Sequence, residues 1–196
     1  MRKGAFEMSD NLAYQDGLRE ELIDGELVMM APASSGHTYV DDNILSIFKN
    51  YLKGKICIPF GDGLLVHLTE KDAFVPDVMV VCDRSKIRRN GVYGAPDLVA
   101  EVLSPSTAKR DRGYKKTVYE RSGVTEYWIV DPSGKSIEVY LLRDGRYELD
   151  GLYTLYPAGE LAEMTDEEKA VVATQFKCHL YDDLVIRLED IFSDIL

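Results

Sequence analysis

Cysteine, histidine and tryptophan are scarce in this chain: three cysteines, three histidines and one tryptophan stand among 196 residues. Cys57, Cys82 and Cys178 lie far apart, and none belongs to a CxxC pair. That argues against a zinc ribbon and against a dense disulfide framework. Three reduced, buried thiols in a cytoplasmic protein are expected instead. Long apolar runs are missing too. None approaches the roughly 20 residues that span a bilayer, so no membrane partner is expected. The opening MRKGAFEMSDN carries two basic residues with no apolar segment behind them, and no signal peptide is expected. No internal repeat, low-complexity run or linker interrupts the chain.

What is present is the balance of a globular protein, 45% apolar and 29% charged. The length suits one domain over residues 1–196, with a core at about 20–147 and an acidic C-terminal segment packed on it. The net charge of −11 argues against a general nucleic-acid binder. The charge is uneven, however. Residues Arg84 to Arg121 hold ten Lys/Arg against four Asp/Glu, a local +6 that leaves −17 for the rest. This is the only basic region of an acidic chain.

Punctuation divides the sequence into short elements. Asp24-Gly25 and Asp144-Gly145 each sit between apolar segments and predict hairpins. Ser34 or Ser35 begins a helix in which Val40, Ile44, Ile47 and Tyr51 recur at helical spacing, and Gly54 ends it. ICIPF, LLVHL, Val78–Cys82, Leu98–Leu103 and TEYWIVD read as strands, the last closed by Asp131-Pro132. RDRGYKKTVYERSG reads as a helix starting near Lys109 or Arg110 and stopped by Gly123. AVVATQF and VIRLEDIFSDIL predict a late strand and a final helix. Strands mixed with two main helices imply an α/β fold with a mixed sheet.

Two acids sit oddly in this pattern. Asp77 opens the apolar run Val78–Cys82, and Glu101 lies inside Leu98–Leu103 with Val99 and Leu103 on its own face. A buried carboxylate is costly unless paired or bound to a metal. If the two strands are neighbours, the acids converge and suit a hard divalent cation that keeps some waters and phosphate oxygens. The helix after Glu101 offers Lys109, Arg110, Arg112, Lys115 and Lys116 as partners for developing charge. Taken singly, each acid has an equal claim to being a turn residue or the partner of a core arginine. The pair followed by basic residues points to a site.

The ordered segments EELIDGELVMMAPASSGH, VPDVMVV and GAPDLVAEVLSPSTAKRDRGYKKTVYERSGVTEYWIVDP resemble the bacterial Uma-type family of putative restriction endonucleases, within the PD-(D/E)XK nuclease superfamily. The resemblance covers about Glu20 to Tyr147. It implies a restriction-endonuclease-like mixed central β-sheet flanked by α-helices, with N-terminal and C-terminal β-hairpin additions. It also implies Mg²⁺-dependent (or Mn²⁺-dependent) phosphodiester cleavage in nucleic acid, DNA first. By that resemblance Asp77 and Glu101 are the metal ligands. The superfamily's lysine belongs two residues after Glu101, where this chain has Leu103. The family's spacing transfers that role to Lys115, four residues before Tyr119, with Lys116 as the fallback. Glu21 matches an acidic position that completes some sites, and it reads equally well as an exposed hairpin charge. His37 at the helix start reads as structural, although phosphate binding is open to it. Tyr93 and Tyr114 are more readily packing residues than base-stacking platforms. By analogy with the superfamily a homodimer is expected. The alternative reading is a non-catalytic nucleic-acid-binding or regulatory protein that keeps the fold.

Overall fold

The hairpin forecast at Asp24-Gly25 forms as expected. In the computed structural model, which describes residues 20–193, β1 (Glu20–Ile23) pairs antiparallel with β2 (Glu26–Met29). Asp24 and Gly25 take φ of 50° and 83°, the left-handed pair that a tight hairpin turn demands. The N-terminal segment read for a signal peptide lies outside the described residues. The helix α1 (Ser35–Leu52) follows, with Ser34 Oγ accepting from the backbone N–H of His37 at its N-terminus.

The centre is a six-stranded mixed sheet. It uses β3 (Ile58–Gly61), β6 (Val78–Val81), β9 (Leu98–Val102), β10 (Glu126–Asp131), β11 (Ser136–Arg143) and β12 (Arg146–Thr154), in the order β12-β11-β10-β9-β6-β3. Only the β9–β10 pairing is parallel. β6 and β9 are buried at every position, as continuous apolar runs with both faces covered should be. Val78, Val80, Leu98, Ala100, Val102, Trp128 and Val130 belong to one core, against α1 and α6 (Leu188–Phe192). Met79, Val81, Val99, Leu103, Tyr127 and Ile129 belong to another, on the opposite face. The period of two along each strand divides the residues this way.

The second core is closed by the helical segment after β9 and by a second six-stranded sheet. That sheet comprises β1 and β2 with β4 (Val66–His67), β5 (Ala73–Phe74), β7 (Ile87–Arg88) and β8 (Gly91–Tyr93), in the order β2-β1-β5-β4-β8-β7. The N-terminal hairpin is therefore built into a sheet, more than an added arm. The helical segment is not one regular helix. A turn of α-helix, α2 (Ala108–Arg110), runs into a π-helical stretch over Asp111–Lys115 and then α3 (Lys116–Ser122), which Gly123 ends with φ 93°.

The C-terminal third differs from its reading in detail. Ala170 and Val171 of AVVATQF lie in α5 (Asp166–Val171), which follows α4 (Ala158–Glu163). The strand is limited to β13 (Gln175–Lys177). It pairs with β14 (Val185–Arg187), so the first residues of the expected last helix are a strand. Thr165 and Glu168 make a reciprocal capping box that starts α5. Local capping there outweighed the β-branched run.

The expectation of three reduced thiols is corrected. Cys57 and Cys82 flank the paired strands β3 and β6 and are joined in a disulfide, leaving Cys178 as the buried free thiol. Their separation of 25 residues concealed a cross-strand neighbourhood that only the register reveals.

Candidate active site

Asp77 and Glu101 meet through the sheet register. Val78 faces Ala100 and Met79 faces Val99, and the same antiparallel register continued by one residue sets Asp77 opposite Glu101. Alternation directs both towards the second core's face. Asp77 Oδ2 accepts the backbone N–H of Val102 at 2.7 Å. Its Oδ1 lies 3.0 Å from His37 Nε2, which must carry the proton because an ionised carboxylate only accepts. His37 thus reaches the site as well as starting α1. Burial pushes its pKa down, but the bond to Asp77 and the nearby Asp41 and Asp62 outweigh that and hold it above the ordinary value.

Glu101 is buried, and its Oε1 accepts from Tyr119 Oη at 2.7 Å and from Lys115 Nζ at 2.7 Å. Tyr119 packs in the second core and also bonds the acid. Lys115 is itself buried. Its ammonium donates to Glu21 Oε1 at 3.0 Å and lies 3.7 Å from Asp111 Oδ1. Lys116, the fallback, points elsewhere and lies 3.2 Å from the centre of the Tyr140 ring. Leu103 packs into the apolar core. Position 103 thus provides packing, and the ammonium beside Glu101 comes from position 115.

Glu21 is buried on β1, and its Oε1 also accepts the Val75 N–H at 2.9 Å. The exposed-charge reading of this residue is thereby replaced. Asp111 is a fourth buried acid that sequence reasoning missed, although its i, i+4 spacing to Lys115 was visible. The π-helical stretch brings both side chains to the buried face, and such bulges often mark functional positions. Gly113 in mid-helix was the available signal. Asp41, one turn after His37, was also missed. It is buried with Oδ1 unpartnered, and its pKa is pushed up to about 8 by burial and by Asp77 and Asp62.

Electrostatically the site is short of positive charge. Glu21, Asp77, Glu101 and Asp111 are four buried carboxylates around Lys115, the one buried ammonium among the described residues, with the partly exposed Arg110 guanidinium 3.9 Å from Glu21 Oε2. Burial would push Lys115 down, but Glu101, Glu21 and Asp111 overcome this and hold it well above the usual lysine value, fully charged. Burial raises Glu101 and Asp111, and the neighbouring acids add to it. Asp111 Oδ1 has no hydrogen-bond donor. Carboxylates are the donors a hard divalent cation takes, but both oxygens of Asp77 and Oε1 of Glu101 already accept from protein donors. Among the described residues no group of three or more His, Cys, Asp and Glu is arranged to hold an ion. A cation here would have Asp77 and Glu101 as its protein ligands, with water in the remaining positions.

These groups form the floor of a cleft of about 1220 Å³. It opens where the parallel strands β9 and β10 end, the usual place for a ligand in such sheets. The Met29–Ala33 stretch, the Ser104–Thr107 loop and Pro132, Ser133 and Lys135 line it. Ser104 Oγ contacts Ser106 Oγ at 3.0 Å and Thr107 Oγ1 at 3.1 Å, which shapes the loop beside Glu101. A smaller hollow of about 260 Å³ at the far end of α1 contains none of these acids.

The basic stretch Arg84–Arg121 does not form one free surface. Arg112 pairs with Glu138 and Arg121 with buried Asp72, Lys86 bonds the Ala95 carbonyl, and Arg88 lies over Tyr93. Tyr93 also stacks on His67, and Tyr114 donates to Asp72, so both tyrosines are engaged within the fold.

In fold the chain resembles the crystal structure of a putative nuclease of the DUF820 family from Anabaena variabilis ATCC 29413, with a TM-score of 0.68 at 20% identity over 91% of this chain and 92% of that one. The chain belongs to the Uma2 family, "Putative restriction endonuclease", whose model matches residues 6–169. Two relatives from Synechocystis sp. (strain ATCC 27184 / PCC 6803 / Kazusa) are each 29% identical. "Uncharacterized protein slr1290" aligns over 157 residues, 78% of this chain and 81% of the relative. "Uncharacterized protein sll1609" aligns over 126 residues, 62% and 71%. Among the described residues no helix is long and apolar enough to cross a membrane.

Proposed function

We propose that the protein is a Mg²⁺-dependent endonuclease that hydrolyses phosphodiester bonds of nucleic acid, with DNA the first substrate to test and Mn²⁺ an alternative ion. The observation that carries this reading is the seat of Lys115, whose ammonium sits against Glu101 although the usual lysine position holds Leu103. Asp77 and Glu101 would hold the cation, which when bound lowers the pKa of a water and polarises a phosphate oxygen.

The chain's own groups then have distinct tasks. Tyr119 and Lys115 fix Glu101, and His37 and the Val102 N–H fix Asp77. Glu21 and Asp111 keep Lys115 protonated and hold it in the cleft floor. From there its ammonium meets the negative charge that grows on phosphorus oxygens during attack. A preorganised donor of this kind acts strongly in a water-poor site. A duplex cut in both strands in one encounter would use two such sites, which a homodimer supplies.

One observation favours the non-catalytic alternative. Both oxygens of Asp77 and one of Glu101 already have protein donors. One assay separates the readings: cleavage of DNA and RNA with Mg²⁺ by the wild type, against Asp77→Ala as the control for contaminating activity. Cleavage by the wild type alone supports the enzyme. Equal activity in the two preparations removes it.

A further inference from the structure

The cleft floor lies deep. Asp77, Glu101 and Lys115 are exposed by 7%, 3% and 4%. A double helix carries its phosphates on the outside of a stiff rod, with a persistence length of about 150 base pairs. Bringing one of those phosphates to a buried floor requires either a wide opening or strong distortion. Strong distortion needs many phosphate contacts to offset it. This chain has a net charge of −11, and its basic stretch is largely engaged internally. Apart from buried Lys115 and from His37, the cations lining the cleft among the described residues are Lys135 and Arg110, whose Nη1 lies 3.9 Å from Glu21 Oε2 and whose side chain stays one-third exposed.

The lining has two chemically different stretches. Met29, Met30, Ala31, Pro32 and Ala33 are apolar or small, and Met29 stays 53% exposed. An exposed methionine beside a buried polar floor is a surface for something apolar. The Ser104–Thr107 loop with Arg110 offers hydroxyl groups and a guanidinium. A paired strand presents phosphates but hides its base faces in the stack. An unpaired strand presents both, and it bends easily enough to bring a phosphate to a buried floor. Grooves for single strands combine these two surfaces in general.

We propose that the cleft takes an unpaired nucleic-acid strand, with phosphates against the Ser104–Thr107 loop, Arg110 and Lys135, and a base or sugar against Met29 and Met30. The inference rests on the nuclease reading and names its substrate class. A strand entering alone needs one site, so cleavage of this substrate does not require a dimer.

The test uses the full chain and three labelled probes of one sequence: a DNA strand of about 12 nucleotides, within the roughly 4–16 that such grooves cover, its RNA counterpart, and the DNA duplex. Cleavage is followed with Mg²⁺ on the wild type, and binding by fluorescence anisotropy with Mg²⁺ on Asp77→Ala. The unpaired DNA or RNA should be cut and bound at least about tenfold better than the duplex, a difference of about 1.4 kcal/mol. The comparison of DNA with RNA tells which strand the cleft prefers. Two phosphate-facing cations give a salt slope near −1.4, at about −0.7 per contact on a single strand. Met29→Asp should weaken binding of the strand about tenfold, again about 1.4 kcal/mol. Leu27→Asp, on the same strand β2 but outside the cleft lining, should not. A duplex cut as fast as the unpaired strands, or a slope steeper than about −5, would overturn the inference and leave the nuclease reading standing. Selective binding of the unpaired strand without any cleavage would support the strand site and overturn the nuclease. Neither binding nor cleavage would overturn both.

Discussion

Two buried glutamates, Glu101 and Glu126, lie on the adjacent parallel strands β9 and β10 and face opposite sides of one sheet. Burial raises the pKa of both. Their surroundings differ. Glu126 accepts from Trp128 Nε1 at 2.8 Å and from the Leu180 N–H at 2.9 Å, and Cys178 Sγ lies 3.5 Å away. These bonds tie the C-terminal segment to the sheet and lower the raised pKa in part. Glu101 shares Lys115 with Glu21 and Asp111, feels Asp77 as well, and lines a cleft. Burial of a carboxylate therefore does not mark a site. Excess of acid over cation, with an opening to solvent, does.

Lys115→Ala should separate the two glutamates by the largest effect. On the Glu101 side it should lower Mg²⁺-dependent cleavage by about 10²–10³, the typical cost of one preorganised transition-state donor. Lys116→Ala, with its ammonium over Tyr140, should change the rate little. Single-turnover rates on the same substrate decide between them. A dead Lys116 variant beside an active Lys115 variant would reverse the assignment.

The matching change on the other face is Glu126→Ala. It leaves the buried Trp128 Nε1–H and the part-buried Leu180 N–H without their acceptor, at about 1–3 kcal/mol for the buried donor and less for the other. A chain of this size loses about 2–4 °C of melting temperature per kcal/mol, so a fall of several degrees is expected by calorimetry. Cleavage per folded molecule should stay near that of the wild type. A specific loss of rate with unchanged melting would place Glu126 in the chemistry and erase the distinction.

A smaller effect concerns the acid excess itself. An ion that binds only the folded state stabilises it by RT ln(1 + [L]/Kd), about 1.4 kcal/mol at ten times Kd. Mg²⁺ should raise the melting temperature of the wild type and of Glu126→Gln alike, and Asp77→Asn should remove the shift. A shift that survives in Asp77→Asn would place the ion elsewhere.

The smallest effect is a pH dependence on the Glu126 side. Its folded pKa lies above the unfolded value of 4.5. The unfolded chain therefore releases this proton first as pH rises. The folded state loses relative stability from about pH 4.5 until the buried group also ionises. In Glu126→Gln that loss is absent, so the difference in melting temperature between variant and wild type should move in the variant's favour as pH rises across this window. A constant difference would show that Glu126 titrates alike in both states.

The sequence by itself determined the hairpins, the α1 segment, the apolar strands and the anomaly of Asp77 and Glu101. These follow from turn chemistry and from periods of two and 3.6 residues, which are local. The ammonium at position 115 was legible only through the family resemblance, which places it four residues before Tyr119, and its π-helical setting was not, because the sequence supplied only Gly113 as a hint. Tertiary structure alone decided the rest. It brought Glu21 from the first hairpin and Asp111 from the helix to one ammonium, 94 and four residues away. It set His37 against Asp77 across 40 residues, joined Cys57 to Cys82 across β3 and β6, and dispersed a basic stretch onto separate acids and rings. Strand register and sheet order fix these meetings. Both are long-range properties, settled by which apolar faces bury each other, so a carboxylate's partners appear only once the sheets are packed.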